Sequence, residues 1–180
     1  MRTQKAFYYN QSRCIGCHAC QTSCMVFNKL DVGMNWRKVQ DFETQVNGRE
    51  VDLHLSTACN HCEQPACVKA CPAAALTKRA KDGLVVQDPE KCIGCGKCVE
   101  ACPYKVPQMN ARTNKAEKCN GCAPLVDQGK VPECVRGCPV QVLKWDDMAK
   151  LDASGASKEA FGFKVYKTKP STRFVTTKKA

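Results

Sequence analysis

The chain has 180 residues, 16 of them cysteine, and a formal net charge of +11 at pH 7. Cysteine at that density suggests a secreted disulfide scaffold, but the chain is far longer than the small domains that need staples, and its cysteines fall in tight runs, not scattered pairs. No apolar stretch approaches a membrane span, and Met1 to Asn10 carries neither an apolar h-region nor a twin arginine, which predicts no secretory signal.

Phe7, Tyr8 and Tyr9 predict a short strand, closed by Asn10 to Arg13. The first run follows as Cys14-x2-Cys17-x2-Cys20-x3-Cys24, with Met25 in place of the usual proline and a short helix expected over 20–30. Residues 31–58 form a cysteine-free insertion in which Asn47-Gly48 is a two-residue hairpin signal. Pairing across it sets Thr44 opposite Val51 and Phe42 opposite Leu53, which predicts strands over 39–46 and 49–55 with one apolar face. Such a hairpin covers a buried group, docks a partner or is an ordinary surface hairpin.

The second run is Cys59-x2-Cys62-x4-Cys67-x3-Cys71-Pro72, followed by a predicted hairpin of Ala75 to Arg79 and Leu84 to Gln87 around Asp82-Gly83. The third is Cys92-x2-Cys95-x2-Cys98-x3-Cys102-Pro103. The fourth is stretched: Cys119-x2-Cys122-x11-Cys134-x3-Cys138-Pro139. From about Met148 to Ala180 the chain is rich in Lys, Ser and Thr and has no core of its own. It reads as an extended tail that wraps its own domain or a partner, with disorder in isolation as the alternative.

The third run is the pattern by which bacterial ferredoxins hold cubane iron–sulfur clusters. Two-residue gaps fold the backbone tightly, so three thiolates reach three irons of one cluster, while the fourth cysteine is carried away and ligates a neighbouring cluster. A run of this kind demands a partner run, and this chain has three more. Zinc also uses C-x2-C half-sites, but it has no use for a third cysteine three residues on. A cubane with four thiolates carries about −2 when oxidised, so four bring the loaded chain to about +3. The excess Lys and Arg then balances clusters, and nucleic acid is not an expected partner. Clusters are built in reducing surroundings, which implies assembly in the cytoplasm.

Cys14-Ile15-Gly16-Cys17-His18 matches the letters of a haem attachment motif, but its cysteines are already used by the first run. There is no P-loop, no G-x-G-x-x-G opening a helix and no nucleophile elbow. His18, Lys97, Lys118 and Arg136 lie in or beside cysteine runs, where a cation favours the reduced cluster; each is a candidate for tuning a potential or else a solvated loop residue. His61 lies between two cysteines but is not needed as a ligand, and Trp36 and Trp145 read as packing.

The phrases Ser12 to Cys20, Cys59 to Cys67 and Cys102-Pro103-Tyr104 resemble the four-cluster iron–sulfur subunits of the dimethyl sulfoxide reductase family of molybdenum and tungsten enzymes, over about residues 5–147. The resemblance implies an α+β fold of two ferredoxin-like two-cluster modules with short hairpins and helices. Residues 1–147 would form the four-cluster domain: one module from 5–30 with 110–147, the other from 56–109, a hairpin insertion at 31–55, and the tail from 148–180. It implies four [4Fe–4S] clusters and, residue by residue, four ligand sets: Cys14, Cys17, Cys20 and Cys138; Cys24, Cys119, Cys122 and Cys134; Cys59, Cys62, Cys67 and Cys102; and Cys71, Cys92, Cys95 and Cys98. That a last cysteine crosses over follows from chemistry; which runs exchange comes from the family, and spacing alone allows runs one and two to pair equally well.

The resemblance further implies a non-catalytic subunit that relays electrons between a molybdopterin-dinucleotide catalytic subunit and a quinone-linked membrane subunit or soluble carrier, in anaerobic respiration. The relay subunit of a formate dehydrogenase or hydrogenase-type complex is the alternative. The implied location is peripheral at the cytoplasmic membrane, co-exported with a signal-bearing partner, or otherwise cytoplasmic.

Overall fold

In the computed structural model, which describes residues 3–46 and 48–176, the N-terminal strand is the element about which distant segments assemble. Strand β1 (Lys5–Asn10) buries Ala6, Phe7 and Tyr9, and aromatic residues of this kind suit a strand covered on both faces. It is central in a three-stranded sheet. On one side it pairs antiparallel with β8 (Leu143–Asp147), Tyr9 opposite Leu143 and Phe7 opposite Trp145. On the other it pairs parallel with β9 (Arg173–Val175), Tyr9 opposite Phe174. One short sheet thus joins the start of the chain, the segment after run four and the C-terminal tail.

Three hairpins surround this sheet. Strands β2 (Lys38–Val46) and β3 (Arg49–Thr57) pair in the register expected, Thr44 with Val51 and Phe42 with Leu53. Asn47 of the expected turn lies outside the described residues; Gly48 takes φ +73°, a conformation glycine adopts without a Cβ penalty. The hairpin is longer than the expected 39–46 and 49–55 because β2 starts at Lys38 and β3 continues past Leu55 through the buried Ser56 to Thr57. Strands β4 (Leu76–Lys78) and β5 (Val85–Gln87) form the second expected hairpin. A third, β6 (Gln108–Asn110) with β7 (Lys115–Glu117), carries no turn dipeptide that would announce it.

The helices are short. Helix α1 (Ala19–Phe27) stops earlier than the expected residue 30, because the Asn28 side-chain amide donates to the Cys24 carbonyl at 2.8 Å and ends the turn. Helices α2 (Ala66–Lys69), α3 (Lys97–Ala101), α4 (Ala123–Val126) and α5 (Glu133–Arg136) each span about one turn, and α6 (Met148–Ala153) opens the tail. Mixed small sheets with short helices make this an α+β fold.

The tail is packed. Phe174 is fully buried, and Phe163 lies against it with ring centroids 4.7 Å apart. Phe161 meets Phe42 of β2 edge-on at 5.4 Å, while Tyr104 stacks on Phe163 at 5.4 Å. Backbone bonds from Glu63 to Lys169, Gln64 to Thr168 and Ser171 to Asn60 lay residues 168–171 across run two.

Apolar side chains and thiols share two cores. One gathers Phe7, Tyr9, Leu55, Val142, Leu143 and Phe174 with Cys20, Cys24, Cys59, Cys119, Cys134 and Cys138. The smaller gathers Leu76, Val85 and Ala116 with Cys67 and Cys98.

Candidate metal centres

The first C-x2-C pair of every run is closed by the same backbone device. The residue before the second cysteine is left-handed in all four: Gly16 at φ +65°, His61 at +43°, Gly94 at +72° and Gly121 at +70°. Three are glycine, for which this region is free; at Gly94 an added Cβ would collide with the Asn114 carbonyl, so close backbone approach excludes a side chain as well. The repeat in cysteine spacing is therefore a repeat in chain path.

A second device separates the last two cysteines of each run. Cys20 and Cys24 sit four residues apart on α1, as do Cys67 and Cys71, Cys98 and Cys102, and Cys134 and Cys138 on or just past α2, α3 and α5. Side chains at i and i+4 of a helix share a face one turn apart. The two thiols of each pair thus serve neighbouring positions along the molecule. Helix α1 packs on α5, and α2 on α3. Run one therefore meets run four, and run two meets run three.

The thiols gather accordingly. Cys59, Cys62, Cys67 and Cys102 line one concavity of about 360 Å³, and Cys71, Cys92, Cys95 and Cys98 line another of about 320 Å³. Burial, with Cys59 and Cys102 alongside, pushes the Cys62 thiol up to about 11 and Cys67 up to about 12. Burial likewise raises Cys98, with Cys92, Cys71 and Cys95 beside it. In the other half, burial together with Cys134 and Cys122 pushes Cys24 up to about 12. Cys119 is raised by burial and by Cys59, Cys24 and Cys134. Cys20 is raised by burial, partly offset by Arg37, with Cys134 and Cys138 near it. Cys14 is half-buried, and Cys17 and Cys95 are exposed.

Buried donors test what fits between these thiols. Asn60 Nδ2 is buried without a hydrogen-bond partner and the Thr168 hydroxyl faces the Cys62 thiol, and both residues line the concavity of Cys59 and Cys102. Buried donors without acceptors are rare in native proteins. A sulfur-rich dianionic cluster supplies such acceptors, and the donor set of four thiolates is the one it takes.

Of the cationic candidates, only Lys118 is buried beside thiols. Its Nζ lies 3.8 Å from Cys59 Sγ and donates to the carbonyls of Val85 and Cys119. His18 is half-buried and bonded to Asp41, Arg136 is exposed and paired with Glu133, and Lys97 is exposed. His61 is fully buried. Burial and the nearby Lys118 and Lys78 charges hold its pKa well below the usual histidine range, so it is neutral, its Nδ1 accepting from the Val85 N–H at 3.0 Å. Its role is packing and backbone support. Trp145 packs on Phe7 at 4.7 Å.

Sequence reasoning passed over Arg37, which no spacing rule marks. It is 1% exposed and lies over the Phe7 ring at 4.6 Å, with Nη1 donating to Ser56 Oγ at 3.0 Å.

Residues 51–148 match the family described as 4Fe-4S dicluster domain, and residues 11–26 match a 4Fe-4S binding domain. The probable anaerobic dimethyl sulfoxide reductase subunit YnfG of Escherichia coli K12 is 40% identical over 159 residues, covering 84% of this chain and 77% of the relative. The chain belongs to the iron–sulfur subunits of the dimethyl sulfoxide reductase family. The B subunit of the anaerobic dimethyl sulfoxide reductase of the same organism is 39% identical with the same coverage. A formate dehydrogenase, nitrate-inducible, iron-sulfur subunit of E. coli K12 is 37% identical over 148 residues, or 73% of this chain and 50% of the relative. Membership in this family accounts for the sixteen cysteines: the chain holds four [4Fe–4S] clusters and transfers electrons.

Proposed function

We propose that the chain relays electrons between a molybdopterin-dinucleotide catalytic subunit and a quinone-linked membrane subunit or soluble carrier, and that it catalyses no bond-breaking itself. The observation that carries this is the gathering of cysteines, four to a concavity, where α2 meets α3, with runs one and four brought together in the same way by α1 and α5. Sites closed by four thiolates leave no iron open to substrate, and a catalytic metal needs such an opening. What remains for the protein is to hold carriers at fixed spacing and potential.

The ligand sets proposed are Cys14, Cys17, Cys20 and Cys138; Cys24, Cys119, Cys122 and Cys134; Cys59, Cys62, Cys67 and Cys102; and Cys71, Cys92, Cys95 and Cys98. The helix contacts favour exchange between runs one and four and between runs two and three over a pairing of neighbours in sequence. The division proposed is into two ferredoxin-like modules, one from 5–30 with 110–147 and one from 56–109, bearing the 31–55 insertion and the 148–180 tail; Cys59 in the larger core and Ala116 in the smaller join the two.

Among the described residues no helix is long and apolar enough to cross a membrane, in keeping with a peripheral subunit held by its partners. The formate dehydrogenase relative supports a second reading, relay in the opposite direction from a formate-oxidising partner. Anaerobic purification of the complex from its native cells tests both. Molybdenum or tungsten co-purifying with iron supports the relay to a molybdopterin subunit, and the substrate that reduces or oxidises the clusters fixes the direction. Iron without either metal contradicts the proposed partner.

A further inference from the structure

Arg37 stands just before β2, in the cysteine-free insertion, yet it is 1% exposed. Its Nη1 donates to the Ser56 carbonyl at 3.4 Å and to Ser56 Oγ at 3.0 Å. Its Nε and Nη2 find no oxygen or nitrogen acceptor, and the guanidinium turns to the Cys134 thiol. No carboxylate pairs with it among the described residues. A guanidinium cannot shed its proton, so a buried one is costly unless an anion stands near it. Here the surroundings are thiols. Cys134, Cys20 and Cys119 stand about the guanidinium. Cys24 and Cys122 also lie within reach of its charge. Those cysteines belong to runs one and four.

Ser56 extends the contact. Its Oγ lies 3.3 Å from Cys20 Sγ while accepting from Arg37. Once Cys20 is a thiolate it can only accept, so the hydroxyl proton turns toward sulfur. The guanidinium, polarising that hydroxyl, strengthens the bond. Hydrogen bonds to sulfur and nearby positive charge both favour the reduced cluster, which carries one more negative charge.

We propose that Arg37, acting directly and through Ser56, is a shared potential-setting group for the two clusters of runs one and four, raising both potentials above those of the same clusters without it. The proposal rests on the exchange between runs one and four given above. It makes Arg37 a positioning and charge-setting residue with no ligand role. The half built on runs two and three has its own buried cation, Lys118 beside Cys59, and its two potentials are expected to hold.

The test is a redox titration of the anaerobically loaded full chain followed by electron paramagnetic resonance, with Arg37→Gln, Arg37→Lys and Ser56→Ala beside the unaltered protein. Iron content of the unaltered protein reports on the four-cluster reading by itself, and the potentials report on Arg37. In Arg37→Gln two of the four potentials fall and two stay fixed, while Arg37→Lys stays closer to the unaltered values. Four unmoved potentials, or four that move together, overturn the proposal. Should Arg37→Gln fail to load, Ser56→Ala decides. One potential falls if the hydroxyl bonds to Cys20 as inferred, and none falls if it does not.

Discussion

The two halves of the molecule handle the same chemistry in different surroundings. Around runs one and four the thiols lie in a large core with Phe7, Tyr9, Leu55 and Phe174, closed by β1, the long hairpin and the tail. Around runs two and three the core is small, and its outer site keeps Cys95, Ile93 and Lys97 at the surface. Exclusion of water and fixed charge tune a cluster; exposure eases electron exchange with another protein. The difference teaches that four similar cysteine runs need not give four similar carriers. Run one keeps a matching exposed edge at Cys17 and Ile15, so the halves differ in the core behind the clusters, while each has a rim at which electrons can enter or leave.

Ligand loss should sort the halves first. Cys134 is buried beside Cys24, Cys119 and Cys122 in the large core. Cys134→Ser should cost a whole cluster, about four of sixteen irons, and lower the melting temperature of what remains. Cys95→Ser, at the exposed rim, should cost only one iron, leaving a three-iron cluster and the other three intact by paramagnetic resonance. Equal losses from the two variants would erase the distinction.

Tail packing comes next in size. Phe174→Ala removes a fully buried ring from the large core, and substitutions of this kind cost about 3–5 kcal/mol. Denaturant unfolding of the loaded chain should show that loss, with the concavity of Cys71 and Cys95 still holding its cluster.

Acid–base behaviour gives a smaller contrast between loaded and unloaded protein. In the unloaded chain burial raises the Cys24 and Cys67 thiols from an ordinary 9.0 to about 12. The folded state therefore holds protons that the unfolded chain releases first. That stability is fully present below about pH 9 and is lost as pH rises toward 12. The unloaded, reduced chain should melt at progressively lower temperature over that window, and cluster-loaded protein, whose thiolates are already ionised, should not follow it. Loading itself displaces protons, so reconstitution should slow as pH is lowered. Least affected should be Arg136→Ala: its guanidinium lies at the surface against Glu133, where ion pairs contribute little, and all four potentials should hold.

Much of this arrangement was legible in the sequence. The cysteine runs announced themselves because cluster geometry fixes their spacing, and the β2–β3 register followed from period-2 alternation about Asn47-Gly48. The central sheet did not announce itself. Strands β8 and β9 are short and mixed in polarity, and β9 lies in a Lys- and Thr-rich tail that satisfies its backbone against β1. Helices α2 and α5 span a single turn, too short for any hydrophobic period to show. Among the cationic candidates, adjacency to cysteine in sequence picked Lys118, which is buried beside Cys59, and equally His18, which is half-buried, and Lys97 and Arg136, which are exposed. Arg37 lay beyond the reach of that rule. It is brought to the thiols by the path of the insertion, and only the fold shows that a cation without a carboxylate is buried there.

The central claim is that sixteen thiols hold four cubanes in this single chain. Iron and acid-labile sulfide, counted per chain on anaerobically purified protein together with the number of spins on full reduction, test it most directly. About sixteen irons, as many sulfides and about four spins are predicted. Zinc in place of iron, or iron near half that count with no further uptake on reconstitution, would contradict it.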